Sequence, residues 1–302
     1  MLSILIPVYA YDVRPLVYDL HQQAQALAVP WEILLLDDAS PPAWQHLNQS
    51  LGELAGVTYH ELPQNSGRAA IRNTLARQAQ YDYLLFMDCD SGVAAPAYLN
   101  RYLQALLPET VLCGGRTYQA TPPPPPFYLH WWYGCQREVK SARERSQAPY
   151  AGFMTNNFVV PRTRFLAIGL DERLRQYGHE DTLFGLQLQQ AGIPILHLDN
   201  PLLHLGLEPA AEWLQKQRQA IDNLYELYLL YPALQTRALV AWRRLHRSGL
   251  LRWGYPWLQR QARRWEKQLV EQPKPALHLL DMLKLVWLEA AHRRKYRGYV
   301  ES

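Results

Sequence analysis

Pairs of carboxylates follow two short apolar runs near the start of the chain. Asp37 and Asp38 come after one run, and Asp88 and Asp90 come after another, with Cys89 between them. Carboxylates that lie together are costly unless a cation or hydrogen-bond donors compensate their charge. Oxygen ligands suit Mg²⁺ or Mn²⁺, so a divalent metal bridging a diphosphate would account for Asp88 and Asp90. Because an isolated Asp-x-Asp pattern is a weak signal, helix caps or solvated loop acids remain the alternative.

A second candidate site is the segment from Asn65 to Asn73, which opens a predicted helix with small residues. Arg68 and Arg72 are four residues apart and therefore share one helix face. A helix N-terminus with nearby guanidinium groups favours an anion such as a diphosphate. The alternative is that Asn65 or Ser66 is an N-cap and that both arginines are solvated.

These residues need a sheet to position them. The chain up to about residue 115 alternates apolar runs with helical patterns, which is typical of βαβ units and a mostly parallel sheet. The predicted strands are Leu2–Val8, Glu32–Leu36, Val57–Leu62, Tyr83–Met87 and Thr110–Cys113. The predicted helices include 68–79 and 96–107. Ligands of open α/β sheets bind at the carboxyl ends of the strands, where both acidic pairs are expected.

The second half of the chain changes in character at Pro122–Pro126, a stiff extended segment that should join neither a helix nor a central strand. We interpret it as a crossover between two halves of one body, 1–121 and 122–208. The further predicted elements are helices at 137–145 and 182–191 and strands at 153–160 and 193–198. From residue 209 a helical extension is predicted, with helices at 210–231, 233–246, 257–270 and 276–294, punctuated by Pro232, Gly249, Gly254, Pro273 and Pro275.

The net charge of +4 hides an asymmetry between the body and the extension. Residues 1–208 carry 14 Lys and Arg against 19 Asp and Glu, a net −5, whereas residues 209–302 carry 17 against 8, a net +9. The apolar content of 48% excludes intrinsic disorder. Three separated cysteines suggest neither a disulfide framework nor a structural zinc site, and a reducing compartment fits them. The sequence predicts neither a signal peptide nor a transmembrane helix.

Five motifs occur in an order that resembles family-two glycosyltransferases of the GT-A fold. They are Ile4–Tyr9, Leu36–Ser40, Asn65-x-Gly67-x4-Arg72-Asn73, Met87–Asp90 and Tyr177–Asp181. Two further segments, Thr155–Phe158 and Asn200–Glu208, resemble bacterial members of this family. Ala39 stands where the family usually has glycine, and Cys89 occupies the variable middle position of the Asp-x-Asp motif. The resemblance implies a GT-A-like, Rossmann-related α/β fold with a mostly parallel sheet flanked by helices.

The resemblance also implies a nucleotide-sugar site in the first half of the body. Pro7 and Tyr9 would line the nucleoside pocket, and Asp38 would meet the base or ribose. Arg72 would lie near the base or diphosphate, and Asn65 belongs to the same site.

A divalent metal, Mn²⁺ or Mg²⁺, is the cofactor that the resemblance implies. Asp90 would be its direct ligand, and Asp88 would contact either the ribose or the metal. A downstream histidine completes the metal shell in several related enzymes, for which His204 is the candidate and His197 is its rival.

The resemblance assigns the chemical step to the fifth motif. Asp181 would be the general base that takes a proton from the acceptor hydroxyl, and Glu180 would orient the acceptor. A base must be ionised at working pH, so Asp181 should be held by hydrogen-bond donors or lie near the metal. His179 is a competing base, although a structural role explains it equally well.

The resemblance thus implies a metal-dependent inverting glycosyltransferase that moves a sugar from a nucleotide donor to a glycan or lipid-linked glycan of the cell envelope. The expected donor is a UDP-sugar. A sugar-nucleotide nucleotidyltransferase is the enzymatic alternative, but the glycine-rich loop that it needs after the first strand is missing. A glycan-binding or scaffold protein without turnover is the other alternative.

The basic extension interleaves arginines with tryptophans. Trp242, Trp253, Trp257 and Trp265 alternate with basic residues at helical spacing. This pattern suggests a helix on an anionic membrane surface, so the protein would be cytoplasmic and peripheral at the inner face of the membrane. A solvated face over a helical bundle is the alternative, and no motif supports nucleic-acid binding.

Overall fold

The computed structural model describes residues 1–173 and 178–300, with side chains through residue 295. The chain forms two compact units. The first, here called the sheet unit, comprises residues 1–119, 137–173 and 180–206. The second, the helical unit, comprises residues 120–136, 178–179 and 207–300. The predicted subdivision of the body at residue 121 and its end at residue 208 remain predictions.

The strands of the sheet unit form two sheets. They are β1 (Leu2–Val8), β2 (Trp31–Asp37), β3 (Val57–Glu61), β4 (Tyr83–Met87), β5 (Ser91–Gly92), β6 (Val111–Cys113), β7 (Arg116–Thr117), β8 (Asn157–Pro161), β9 (Ile195–His197) and β10 (Leu202–His204). Seven strands form the main sheet in the order β3-β2-β1-β4-β8-β6-β9, and only β8 runs antiparallel to its neighbours. The mostly parallel sheet confirms the predicted α/β class.

Helices are labelled in chain order through both units. The sheet unit contains α1 (Arg14–Gln25), α2 (Pro42–Asn48), α3 (Arg68–Gln78), α4 (Tyr98–Ala105), α6 (Ala142–Ser146), α7 (Arg162–Ile168) and α8 (Glu180–Gln190). The helical unit contains α5 (Tyr128–Tyr133), α9 (Ala210–Leu230), α10 (Arg237–Arg247), α11 (Leu250–Glu271) and α12 (Leu277–Val300). Among the described helices, none combines the length and hydropathy that crossing a bilayer requires.

The strand β1 shows why this sequence forms a buried central strand. Its alternate residues Leu2, Ile4 and Ile6 join a core with residues of α1 and α4. Leu5 joins a second core, on the other face of the sheet, with residues of α3, α7 and α8. Because successive side chains of a strand point to opposite faces, a strand covered by helices on both sides is apolar throughout.

The strand order contains a topological switch point beside β1. The chain passes from β1 to β2 and β3 on one side and then returns to β4 on the other side. The residues that follow β1, β2 and β4 therefore meet at one edge of the sheet, where ligands bind in folds of this type. Tyr9, Asp38 and Asp88 occupy these three positions.

A small second sheet, in the order β5-β10-β7, was not predicted. Its strands have two or three residues each, too few for a detectable alternation of apolar and polar residues. His204 on β10 pairs with Ser91 on β5, and the backbone N–H of Leu205 donates to the carbonyl of Asp90 at 2.8 Å. The sheet thus brings a residue from the end of the body next to the Asp-x-Asp motif.

Prolines behave differently from the prediction in two places. Pro125 begins a short 3₁₀ helix that ends at Phe127, so the proline run is not wholly extended. The predicted break at Gly254 is wrong, because α11 continues through Gly254 and Pro256. Pro256 has no N–H to donate to the carbonyl of Arg252, and Nη2 of Arg293 on α12 donates to that carbonyl at 2.9 Å instead.

The boundaries of the remaining predicted elements shift by a few residues. The strand predicted from residue 153 begins only at Asn157, and the helix predicted over 137–145 is a π-helical turn, Gly134–Glu138, followed by α6. The helix predicted from residue 257 already begins at Leu250. Helix α6 starts with a capping box between Ser141 and Glu144, which explains why it begins where it does.

A buried carboxylate joins two helices of the helical unit. Glu289 on α12 accepts hydrogen bonds from Trp242 at 3.2 Å and His246 at 2.9 Å, both on α10, and from Nε of Arg293 at 2.8 Å. Burial acts to raise the pKa of Glu289, but the hydrogen bonds from His246, Arg293 and Trp242 outweigh it, and the pKa is lowered. The ionised carboxylate therefore stabilises the packing of α10 on α12.

Candidate functional site

The loop after β2 is attached to the start of α3 through the Asp38 carboxylate. Oδ1 of Asp38 accepts from the backbone N–H of Ser66 at 2.7 Å and from its hydroxyl at 2.8 Å, and Oδ2 accepts from the N–H of Gly67 at 3.1 Å. Asn65 donates to the carbonyl of Asp38 at 3.1 Å. The alternative N-cap role of Asn65 or Ser66 is wrong, because the N-cap of α3 is Gly67 at φ +87°.

The loops after β1 and β2 both contain an alanine in the left-handed backbone region. Ala39 has φ +59° and Ala10 has φ +48°, and the N–H of Ala10 donates to the Ser40 hydroxyl at 2.9 Å. Left-handed backbone is costly for a residue with a Cβ atom, which explains why a glycine suits the position of Ala39. The bond to Ser40 holds the two loops together beside Tyr9, whose side chain is 55% exposed.

Arginines engage both oxygens of Asp88. Arg72 of α3, only 4% exposed, places Nη2 at 2.5 Å from Oδ1 of Asp88, and Nη2 of Arg116 lies 3.6 Å from Oδ2. Nη1 of Arg116 also donates to Glu138 at 3.0 Å. The alternative of a solvated Arg72 is therefore wrong. Asp88 thus pairs with two guanidinium groups. This pairing could orient Arg72 and Arg116 towards a diphosphate.

Asp90 lies in a different environment from Asp88. Its Oδ1 is 3.7 Å from Nδ1 of His204 and accepts no hydrogen bond in the described part of the chain. A Cβ atom on Gly206 would stand 2.0 Å from Oδ2 of Asp90, so this glycine leaves the space that the carboxylate occupies. Burial acts to raise the pKa of Asp90, but His204 and the charges of Arg116 and Arg68 outweigh it, and the pKa is well below its ordinary value.

Other groups use both ring nitrogens of His197, the rival candidate for the metal shell. Nδ1 is 3.1 Å from Nη1 of Arg145, which can only donate, and Nε2 therefore carries the proton and donates to the carbonyl of Pro149 at 2.9 Å. Burial lowers the pKa of His197. Its ring thus has no lone pair for a metal, whereas His204 lies beside Asp90.

The fifth motif places two acids in the first turn of α8. Asp181 is half-buried, and its Oδ1 accepts from the backbone N–H of Thr182 at 2.7 Å. Burial raises the pKa of Asp181, while the Thr182 bonds and the charges of Arg116 and Arg68 oppose this effect. The Asp181 carboxylate is therefore held by the backbone N–H and the hydroxyl of Thr182 at the start of α8. Tyr177 of the same motif lies outside the described residues, and His179 has left-handed backbone at φ +70°.

Arg68 connects the separate motifs electrostatically. Its Nε lies 3.7 Å from Oε1 of Glu180, so the start of α3 lies close to the start of α8. The charges of Arg68 and Arg116 both act on Asp90 and on Asp181. The Asp-x-Asp motif and the acids of α8 therefore share one basic environment, although about 90 residues of sequence separate them.

The buried side chain of Asn157 organises the part of the site around Arg116 and β10. Asn157 belongs to the segment Thr155–Phe158, but the sequence did not reveal this role. Oδ1 of Asn157 accepts from the hydroxyls of Tyr98 at 2.7 Å and Tyr102 at 2.6 Å. Its Nδ2 donates to the carbonyls of Gly115 at 2.8 Å and Asn200 at 2.9 Å. Since Gly115 precedes Arg116 and Asn200 leads into β10, this network positions both Arg116 and His204.

Sequence reasoning missed Arg116, Tyr118 and Glu138, which form one cluster. The Tyr118 hydroxyl donates to Glu138 at 2.5 Å, and the same carboxylate oxygen accepts from Arg116. The available signal was a glycine pair before Arg116 at the end of an apolar run. Gly115 at φ +86° allows the turn that brings Arg116 back towards the sheet edge.

The residues could hold a metal only together with a ligand. Within residues 1–173 and 178–300, no group of three or more His, Cys, Asp or Glu side chains is arranged to hold a metal ion. Asp90 and His204 offer two donors, and Mg²⁺ is commonly bound by one or two carboxylates plus substrate phosphates. Burial and the charge of Asp90 raise the pKa of Cys89 to about 12, so this thiol stays protonated.

Solved structures of other proteins share the fold of this chain. The mannosyltransferase PcManGT from Pyrobaculum calidifontis, in complex with GDP-Man and Mn²⁺, is 15% identical with a TM-score of 0.56, covering 97% of this chain and 86% of its own. Glucosyl-3-phosphoglycerate synthase from Mycobacterium tuberculosis, in complex with Mg²⁺ and UDP, is 15% identical with a TM-score of 0.52, covering 75% and 78%. These likenesses concern the fold, and they confirm a GT-A-like architecture.

No curated protein sequence matches the chain. The family model described as glycosyl transferase family 2 matches residues 3–163, which is more than half of the chain and includes four of the five motifs. The chain therefore belongs to glycosyl transferase family 2.

Proposed function

We propose that the protein is an inverting glycosyltransferase that uses Asp181 as its base. The observation that carries this proposal is the approach of α3 to α8, where Nε of Arg68 lies 3.7 Å from Oε1 of Glu180. The charges of Arg68 and Arg116 therefore act on both Asp90 and Asp181. Transfer to an acceptor hydroxyl requires a base, which Asp181 would provide. The diphosphate leaving group develops negative charge, which nearby arginines stabilise.

The reaction needs one proton transfer and one displacement. Asp181 takes the proton from the acceptor hydroxyl as its oxygen attacks the anomeric carbon, and the bond from that carbon to the diphosphate oxygen breaks. Attack from the face opposite the leaving group inverts the anomeric centre. Glu180 orients the acceptor, while Arg72 and Arg116, held by Asp88, stabilise the charge of the departing diphosphate.

Asp90 and His204 are the residues that would hold a divalent metal, and Asp88 would contact either the ribose or the metal. The low pKa of Asp90 keeps its carboxylate ionised, which suits Mn²⁺ or Mg²⁺. When bound, the metal would supply positive charge to the diphosphate. Solved structures of the same fold contain Mn²⁺ or Mg²⁺ with a nucleotide or nucleotide sugar, which supports the proposal.

The metal assignment predicts unequal effects for the two histidines. His204→Ala should raise the Mn²⁺ concentration required for half-maximal donor turnover by on the order of 10–100-fold, because it removes a ligand. His197→Ala should leave that concentration nearly unchanged and should lower only thermal stability. The measurement is a Mn²⁺ titration of donor turnover for both variants, and equal Mn²⁺ requirements would contradict the assignment.

We propose a UDP-sugar as the donor and a glycan or lipid-linked glycan of the cell envelope as the acceptor. Pro7 and Tyr9 at the end of β1 would line the nucleoside pocket, with Asp38 and Asn65 at the next loop. The proposed location is cytoplasmic and peripheral at the inner face of the membrane. The structural relatives contain either GDP-Man or UDP, so the nucleotide base must be tested.

A donor panel tests the proposal. The full chain is melted with Mn²⁺ and UDP-glucose, UDP-N-acetylglucosamine, UDP-galactose or GDP-mannose, since a ligand that binds the folded state raises its melting temperature. We expect a UDP-sugar to raise it and Asp90→Asn to reduce that shift. Donor hydrolysis or transfer would then identify the transferase. Binding of a glycan without turnover of any donor would favour the scaffold, and release of pyrophosphate from UTP and a sugar phosphate would favour the nucleotidyltransferase.

A further inference from the structure

The helix α11 packs on the helical unit through one narrow side. Leu251, Ala262 and Leu269 are its buried residues, and they recur at a spacing that places them on a single face. Arg293 fixes the N-terminal turns of α11, because it donates to the carbonyl of Arg252 and stacks over the Tyr255 ring at 4.3 Å. The orientation of the opposite side of α11 is therefore well defined.

That opposite side exposes large apolar residues. Trp253 is 85% exposed, Leu250 is 65% exposed and Trp257 is 59% exposed. By contrast, Trp242 of α10 is buried at the Glu289 carboxylate, so only some of the tryptophans in this region serve the core. Three neighbouring large apolar side chains with most of their surface in solvent indicate an interaction site.

Basic residues continue the same side of α11 towards its C-terminus. Arg260, Arg264 and Lys267 are exposed and follow Trp253 and Trp257 at helical spacing. Among the described residues, Arg260 and Arg264 form no ion pair, and Lys267 approaches only Glu271, at 3.9 Å. We call this set, Leu250, Trp253, Trp257, Arg260, Arg264 and Lys267, the outer face of α11.

A cavity of about 400 Å³ lies between α9, α11 and α12. Its lining includes Arg218 and Arg263, which form no ion pair among the described residues, and one carboxylate, Glu266. Arg293 also lines it, and Trp287 contributes an apolar wall. Since Arg263 lies one turn from Arg260 on α11, this cavity adjoins the outer face. Guanidinium groups with an apolar wall suit a phosphate group attached to an apolar body.

We propose that the outer face of α11 docks on an anionic phospholipid surface and that the arginine-lined cavity receives a lipid phosphate. Trp253 and Trp257 enter the interfacial region, where an aromatic ring with a polar N–H is favoured. Arg260, Arg264 and Lys267 remain at the level of the negative headgroups. The surface does not depend on the glycosyltransferase assignment, because it lies outside the residues proposed for catalysis.

The charge and the exposed rings together select this partner. A solvated charged face explains the arginines but not two exposed tryptophans. A second copy of the chain would bring the same uncompensated arginines together, which like-charge repulsion disfavours. An anionic bilayer compensates the charge and covers the rings in one step.

Vesicle binding tests the proposal with the full chain. The protein is sedimented with vesicles of phosphatidylcholine alone and with vesicles of equal parts phosphatidylcholine and phosphatidylglycerol. We expect binding only to the anionic vesicles, weakened more than about tenfold by Arg260→Glu with Arg264→Glu. The matched control is Arg101→Glu with Arg143→Glu, which changes the charge equally at exposed positions of α4 and α6 and should bind almost as the parent does.

Two more variants separate the parts of the surface. Brominated phosphatidylglycerol should quench tryptophan emission of the parent but much less that of Trp253→Ser with Trp257→Ser, whose thermal stability should be unchanged. Arg218→Ala with Arg263→Ala should weaken binding to anionic vesicles. Inorganic phosphate should neither restore the vesicle binding of this variant nor substitute for the anionic lipid. Equal binding to both vesicle types, or equal losses in the control, would overturn the proposal. So would quenching that is independent of the two tryptophans, or a dimer in lipid-free solution that these serines abolish.

Discussion

Asp181→Asn is expected to reduce turnover by on the order of 10²–10⁴-fold, the usual contribution of a general base. The asparagine keeps the size of the side chain and can still meet Thr182, but it cannot take the proton of the acceptor hydroxyl. Donor binding should therefore persist, and the loss should lie in kcat. The measurement combines steady-state turnover with donor-induced thermal stabilisation of the same variant.

The pH dependence provides a second test of the same residue. Because burial raises the pKa of Asp181 above its ordinary value of 3.8, the acid limb of the rate profile should have its midpoint above that value. The rate falls as the pH decreases, since protonation removes the base. Asp82→Asn is a matched control, because Asp82 is exposed and precedes β4 at the opposite end of that strand. Full turnover in Asp181→Asn, with loss in His179→Ala, would identify His179 as the base instead.

Glu289→Gln is expected to lower the free energy of unfolding of the helical unit by about 3 kcal/mol. Breaking a buried charge pair leaves its partners without compensation, here Arg293 and His246, although both retain some contact with solvent. The measurement is urea unfolding monitored by tryptophan fluorescence. The control is Glu226→Gln, whose exposed pair with Lys295 at 3.2 Å should contribute less than about 1 kcal/mol.

The same carboxylate predicts how stability changes with pH. Because the pKa of Glu289 is lowered in the folded protein from its ordinary value of 4.5, its contribution is complete above that value. The contribution is lost as the pH falls from there through the lowered pKa, since the unfolded chain binds the proton first. The free energy of unfolding of Glu289→Gln should therefore depend less on pH than that of the parent, between about pH 5 and the pH of acid unfolding. An identical pH dependence in both proteins would contradict the assigned role of this group.

Long apolar runs were the most predictable part of the fold. The predicted strands Leu2–Val8 and Tyr83–Met87 coincide with β1 and β4, because a strand covered on both faces is apolar along its whole length. Strands β5, β7 and β10 have no such signal, since two or three residues carry no periodicity. The predicted break at Gly254 failed because a contact from α12 satisfies the carbonyl that Pro256 leaves without a donor.

The sequence by itself determined the family, the order of the motifs and the sheet edge on which Asp38, Asp88 and Asp90 lie. These follow from local patterns and from the fixed relation between strand ends and ligand sites in open sheets. The charge difference between the body and the extension also needs no structure.

Only the tertiary structure decided how similar residues differ from one another. It distinguishes Asp88, paired with two arginines, from Asp90, which lies beside His204. It likewise separates buried Trp242 from exposed Trp253. The physical reason is the same in each case: burial and ion pairing depend on partners that lie far away in sequence, and no local pattern records which partner folding will bring into contact.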